Sequence, residues 1–177
     1  MSTGNDFQRN HYFAGKIMTA EDFSTEQDYF LGKLRRHNRY LHGWGVVRGF
    51  EVSLRGDKIV VTPGVAVDCA GNEIILEARE MLELPPDQRQ FYLAVAYTET
   101  LAYPVPTLIT GVASPEERVE YGLVQEGCCV EIMGQDPAAE HDGFGPGTPG
   151  CGQAHPVPLA RGVRRFRGWK ISLCSRR

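Results

Sequence analysis

The sequence predicts a mainly β protein of the α+β class, with one N-terminal amphipathic helix followed by an antiparallel β domain. Apolar residues recur at helical spacing over residues 20–41, and from residue 43 they alternate in short segments separated by turns. This β domain is expected to be sandwich-like or barrel-like, with long Gly/Pro-rich loops. We therefore divide the chain into an N-terminal arm and helix (1–42) and a β-rich domain (43–177).

Length and composition exclude several classes of protein. A chain of 177 residues can bury its own core, and a net charge of -3 does not favour a nucleic-acid partner. No apolar run approaches the ~20 residues of a membrane helix, and the N-terminus has no export signal pattern. We expect cytoplasmic synthesis and assembly, no membrane insertion and, for the five cysteines, no disulfide scaffold.

The predicted helix begins after Thr19, a suitable N-cap, and runs from about Ala20 to about Leu41. Six residues step by four and three along it and form a heptad seam: Phe23, Gln27, Phe30, Leu34, His37 and Leu41. The seam either packs on the protein's own sheet or mediates self-association. Gly43 suits a C-cap, and Trp44 is expected to pack over the helix end and to join the docking surface.

The alternating pattern after residue 43 predicts a series of strands and turns. One strand covers Val46 to Leu54, and a turn at 55–58 returns it as strand 59–61. Further strands are expected at 64–68, 72–76, 91–97, 130–132 and 169–173. The prolines in 101–118 predict a loop on the surface. The eleven glycines and prolines in 134–158 predict a mobile loop.

Few residue groupings suggest chemistry. The metal candidates are Cys128, Cys129, Cys151 and His155, because zinc accepts thiolate and imidazole ligands and Cys151-x-x-x-His155 resembles half a site. The chain has no CxxC pair, so unpaired thiols are the alternative. It also has no nucleophile motif and no Gly-rich phosphate loop after a strand. We therefore expect a non-enzyme, with no cofactor unless zinc binds.

Positive charge is concentrated near the C-terminus, in a basic patch of Arg161, Arg164, Arg165, Arg167 and Lys170. Such charge protects an edge strand from wrong pairing, and it also fits docking on an acidic partner protein. Nucleic acid is the weakest alternative, because only Phe166 and Trp169 could stack bases there.

Two motifs of the N-terminal half carry a family resemblance. They are YF-x-G-K-x-x-T-A-E-D-F-x-x-E-Q-x-Y at 12–29 and HNR-x-LHGWGVV-x-G-x-E-V at 37–52. Together they resemble a family of small proteins from gene clusters of phage-tail-like contractile injection systems, and from related phage tail and baseplate modules. The resemblance continues through PGVAVD at 63–68 and GNEI at 71–74 and ends near residue 106, whereas the C-terminal part departs from the family.

The resemblance implies a structural or adaptor protein of such a particle, at or near its baseplate or fibres. Parts of this kind are usually repeated around a symmetry axis, so other particle proteins and further copies of the chain are the expected partners. The alternative is a ligand-binding or adhesin module that uses the 101–118 or 134–158 loop, since loops on a rigid scaffold often bind ligands.

Overall fold

A computed structural model of the chain describes residues 7–106, 119–139, 141, 150–166 and 168–174. Helix α1, Ala20–His37, continues into a π-helical turn, Asn38–His42, which confirms the predicted helical span. The strands that follow are β1 Gly45–Gly49, β2 Val52–Arg55, β3 Lys58–Val61, β4 Gly64–Val67, β5 Glu73–Leu76, β6 Glu80–Glu83, β7 Gln90–Pro106, β8 Val119–Met133, β9 Val157–Arg165 and β10 Gly168–Leu173.

Helix α1 begins with a capping box. The Asp22 N–H donates to Thr19 Oγ1 at 3.3 Å, and the Thr19 N–H donates to Asp22 Oδ2 at 2.9 Å. Lys16 Nζ lies 2.8 Å from Asp22 Oδ1. Lys16 and then Thr19 lower the pKa of Asp22 from 3.8 to about 2, because they stabilise its charged form. The predicted N-cap is confirmed.

The helix ends against the turn between β4 and β5. Asn38 is buried, and its Nδ2 donates to the carbonyl oxygen of Gly71 at 3.0 Å. The Gly43 N–H donates to the Asn38 carbonyl at 3.0 Å, with φ at +76°, a value that favours glycine. These bonds fix the C-terminal end of the helix on the β region.

The single strand predicted from Val46 to Leu54 is wrong, because the backbone breaks at Phe50. There φ is +54°, the Phe50 N–H donates to the Pro63 carbonyl at 3.3 Å, and the ring is buried over Gly64. Burial of this ring turns the chain out of one sheet and into another, so β1 and β2 have different partners.

The described strands form three antiparallel sheets, ordered β1-β4-β5, β2-β3-β6 and β10-β9-β7-β8. The β2–β3 and β4–β5 hairpins and the last strand are confirmed, whereas β6 was not predicted. The barrel expectation is not met, since no sheet made by the described residues closes on itself. The sheets share one core, whose largest buried side chains include Phe91, Leu93, Ile59 and Ile74.

Strands β7 and β8 are much longer than predicted and correct two expectations. Residues 101–106 belong to β7, and the short strand expected at 130–132 is part of the 15-residue β8. Pairing of β7 with β9 ends at Val95, so beyond it one edge of β7 has no partner among the described strands and tolerates proline. Residues 107–118, the rest of the predicted surface loop, lie outside the described residues.

The predicted mobile loop at 134–158 is also shorter than expected, because Val157 and Pro158 already belong to β9. Part of the remainder packs on the β4–β5 hairpin, where the Gly152 N–H donates to the Cys69 carbonyl at 3.2 Å. Residues 140 and 142–149 lie outside the described part, so mobility remains a prediction. No helix within the described residues has the length and hydrophobicity needed to span a membrane.

An exposed apolar face on the helix and the adjoining β arm

The heptad seam of α1 faces away from the protein. All six seam residues are exposed, and Phe23, Phe30, Leu34 and Leu41 keep 57%, 54%, 48% and 57% of their accessible surface. Among the residues that the structure describes, α1 has none that is buried. Packing on the protein's own core therefore does not explain the seam.

Other parts of the chain cover the remaining sides of α1. On one side, Asn10 Nδ2 donates to the Asp22 carbonyl, and the Asn10 N–H donates to Glu26 Oε2 at 3.3 Å. The guanidinium of Arg36 lies 3.9 Å from the centre of the Phe7 ring. The N-terminal arm thus lies along a flank of the helix next to the seam, and the seam residues stay exposed.

Towards the β region, α1 is held by polar contacts near its C-terminal end. Arg35 forms an ion pair with Glu99 at 3.2 Å, and Glu99 also accepts a hydrogen bond from the Tyr97 hydroxyl at 2.9 Å. Burial, with Glu99 and Glu126 nearby, raises the pKa of Tyr97. The ion pair and the hydrogen bond to Glu99 join the C-terminal part of α1 to β7.

A groove of about 640 Å³ runs between the seam and the first half of β8. Its helix wall includes Phe30, Leu31 and Leu34, and its strand wall is the segment 121–124. No strand was predicted at residues 119–124, so the strand wall was not expected. The apolar Val119, Tyr121 and Leu123 alternate with other residues, a pattern that could have revealed it.

The strand wall belongs to a projecting two-stranded arm, formed by β7 from residue 101 onward and β8 up to residue 124. This β arm exposes large apolar side chains on both of its faces: Val119, Tyr121 and Leu123 lie on one face, and Leu101, Val105 and Val124 lie on the other. Tyr103 is also exposed. Exposed apolar surface of this kind can mark an interaction site. The helix seam, the groove beside it and the β arm that forms its strand wall together make one candidate docking face.

Trp44 does not belong to that face. Its side chain is 4% exposed and packs in the core, where its ring centre lies 5.1 Å from that of His141. His37 stays on the exposed side, with Nε2 3.3 Å from Nε2 of His42. The Trp44 side chain thus holds the segment after the helix in the core, where a partner protein could not contact it.

Some residues of the predicted basic patch bond to neighbouring segments of the protein, and others are exposed. Arg161 donates to Gln90 Oε1 at 2.6 Å and ties β9 to the first residue of β7. Arg164 donates to the Pro86 carbonyl at 2.8 Å and ties β9 to the segment before β7. Arg165 and Lys170 are exposed, the latter on the edge strand β10, and Arg167 lies outside the described residues. Docking on an acidic partner stays a prediction.

The structure groups the candidate metal ligands differently from the sequence prediction. Cys128 and Cys129 are neighbours in β8, where successive side chains point to opposite faces. Burial is the main cause that raises the pKa of both thiols, and acidic neighbours add to it. Neither joins Cys151, whose Sγ lies within 4.8 Å of ligand atoms of Cys69 and His141. His155 is adjacent, with its ring centre 4.4 Å from that of His141.

Comparison with known proteins finds solved structures that share this fold. No protein-family model matches the sequence, and the comparison with curated proteins gives no significant match. Solved structures do match, and they come from the baseplate of the type VI secretion system, a contractile injection system related to phage tails.

A chain of the TssK-TssF-TssG baseplate subcomplex aligns with a TM-score of 0.52 and 14% identity over 94% of this chain. A chain of the type VI baseplate complex aligns with a TM-score of 0.51 and 13% identity, and the crystal structure of TssK aligns with a TM-score of 0.50 and 12% identity. Both alignments also cover 94% of this chain. The chain spans 60%, 58% and 41% of these three, so it corresponds to part of each. At such identities the likeness establishes the fold.

Proposed function

We propose that this protein is a non-enzymatic structural or adaptor component of a contractile phage-tail-like particle, at or near its baseplate. The observation that carries the proposal is the fold, which aligns with chains of type VI baseplate assemblies over 94% of the protein. The N-terminal motifs resemble proteins of the same kind of particle and support the proposal independently.

The docking face is where assembly would occur, and the occupant we propose is a second copy of this chain. Heptad spacing lets the seam of one helix interdigitate with an identical seam. The groove beside Phe30 and Leu34 adds apolar surface for the same contact. Fewer than three heptads rarely hold helices together alone, and the β arm supplies the additional surface.

We predict that Leu34→Glu disrupts self-association. Leu34 is a seam residue that also lines the groove, and a buried carboxylate without a partner is strongly unfavourable at an apolar interface. Light scattering coupled to size exclusion should show an oligomer for the unaltered protein and a shift to monomer for the variant, with at least a tenfold rise in dissociation constant.

Met81→Glu is the matched control, because Met81 is 61% exposed on β6, away from the seam, and the substitution adds the same charge. The control should leave the oligomer intact. A folded monomer for the unaltered protein, or equal effects of both substitutions, would contradict self-association through the seam. In that case a different particle protein would be the occupant of the face.

The particle role is tested in cells that produce the particle. Removal of the gene should leave particles incomplete or absent by electron microscopy, and the unaltered gene should restore them. Intact, fully assembled particles in the deletion would contradict the proposal. Leu34→Glu should fail to restore assembly, while Met81→Glu should restore it.

A further inference from the structure

A cluster of possible metal ligands lies beside Trp44, whose ring packs against that of His141. Cys69 follows β4, His141 follows β8, and Cys151 precedes β9, so three distant segments of the chain meet here. One ligand atom from each residue lies within 4.8 Å of the other two. Such convergence of two thiols and an imidazole is the donor set that zinc prefers.

The distances suit a tetrahedral ion. With Zn–S near 2.3 Å and Zn–N near 2.1 Å, ligand atoms in a tetrahedron lie roughly 3.5–3.8 Å apart. Cys69 Sγ and His141 Nδ1 are 3.5 Å apart. The separation of these two atoms is therefore close to the distance between two ligand atoms of a tetrahedral zinc ion.

Backbone groups around the cluster are arranged as in a supported metal site. The Gln153 N–H donates to Cys151 Sγ at 3.4 Å, so its partly positive hydrogen lies against the sulfur and would stabilise a thiolate there. The Gly152 N–H donates to the Cys69 carbonyl at 3.2 Å and links the two cysteine segments. Such outer contacts orient the ligands of metal sites and raise metal affinity.

Close packing also holds the cysteine segments together. A side chain at Gly150 would approach Cys69 Cα within 2.7 Å, so only glycine permits this proximity. Cys69 is fully buried, whereas Cys151 is exposed, so the cluster extends from the core to the surface. An ion could thus enter from solvent and still be held by a core residue.

We propose that Cys69, His141 and Cys151 bind one zinc ion and that His155 completes the tetrahedron. The His155 ring lies edge-on to that of His141, with ring centres 4.4 Å apart, and a change of its side-chain rotamer would bring a ring nitrogen to the ion held by the other three residues. Such a site has four protein ligands and no open position, which is the arrangement of structural zinc. The bound ion would hold the β4–β5 hairpin against the segment that follows β8 and precedes β9.

The test is the zinc content of the full-length protein, reduced, supplied with zinc and dialysed, measured by mass spectrometry of the metal. We expect one zinc per chain, and cobalt in its place should give the absorption of a tetrahedral thiolate site. Absence of stoichiometric metal, or a Cys69–Cys151 disulfide in the zinc-treated protein, would overturn the proposal.

Substitutions then assign the ligands. Cys151→Ser changes an exposed residue and should weaken zinc binding at least about tenfold without unfolding the protein. His155→Ala should also weaken it, and unchanged affinity would remove His155 as the fourth ligand. Cys129→Ser is the matched control, an exposed cysteine outside the cluster, and should retain one zinc. Full zinc retention in Cys151→Ser would overturn the site.

Discussion

Gly71 shows how a single residue controls the position of the helix. Its φ is +93°, and a methyl group there would overlap the backbone carbonyl of Arg35 in α1. The Asn38 side chain binds the Gly71 carbonyl at the same place. Glycine at position 71 therefore permits both the positive φ of the turn after β4 and the close approach of the helix backbone.

We predict that Gly71→Ala destabilises the protein more than Gly56→Ala does. Both positions have positive φ, and an alanine there costs about 1–2 kcal/mol. Only Gly71 also meets a neighbouring backbone, and the overlap should add roughly 1–3 kcal/mol. Urea unfolding of the two variants measures the difference, and equal losses would show that the helix does not depend on this contact.

Asp68, which is fully buried, also stabilises the turn that contains Gly71. Its Oδ1 accepts from the N–H groups of Ala70 and Asn72 at 2.9 Å, and its Oδ2 accepts from Asn72 Nδ2 at 2.8 Å. Sequence alone predicted the hairpin, because Asp, Asn and Gly are turn residues. It could not predict that Asp68 would be fully buried, since burial depends on parts of the fold that are distant in sequence.

At the scale of elements, α1 was predictable and its surroundings were not. The cap, the span and the seam all follow from local spacing. Which side faces solvent depends on the arm before the helix and the strands after it. The groove wall at 121–124 is contributed by a strand 90 residues away, so local pattern could not place it beside Leu34.

We predict that Asp22→Asn weakens α1 at neutral pH and has little effect near pH 2. The folded pKa of Asp22 is about 2, below its ordinary 3.8, so its stabilising effect is present above pH 3.8. The effect is lost as pH falls through the folded value, because the proton removes the charge that Thr19 and Lys16 stabilise. Thermal unfolding followed by circular dichroism, with Asp28→Asn as control, measures the difference. A constant difference across this pH range would contradict the assignment.

At the scale of the whole molecule, the core and the docking face are separate. The buried cluster runs from Trp44 to Ala160 and includes no residue of α1, and the described part of the N-terminal arm adds none. The fold is therefore completed by the sheets, while the seam remains outside. This division suits a part that folds alone and then assembles.

We predict that a variant without residues 1–36 still folds and no longer self-associates. It retains Asn38, which closes the β4–β5 turn, and the whole buried cluster. Near-ultraviolet circular dichroism should show an ordered Trp44, thermal unfolding should stay cooperative, and light scattering should report a monomer. Loss of cooperative unfolding would show instead that the helix is part of the folding unit.

The sequence by itself determined the mainly β class, the capped helix with its seam, and the tight hairpins, because each depends on residues a few positions apart. The tertiary structure decided the break at Phe50, the length of β7 and β8, the exposure of the seam and the meeting of Cys69 with Cys151. These depend on contacts between residues far apart in the chain, and periodicity carries no information about such contacts. That is also why the sequence grouped Cys151 with Cys128 and Cys129, whereas the fold places it beside a cysteine 82 positions earlier.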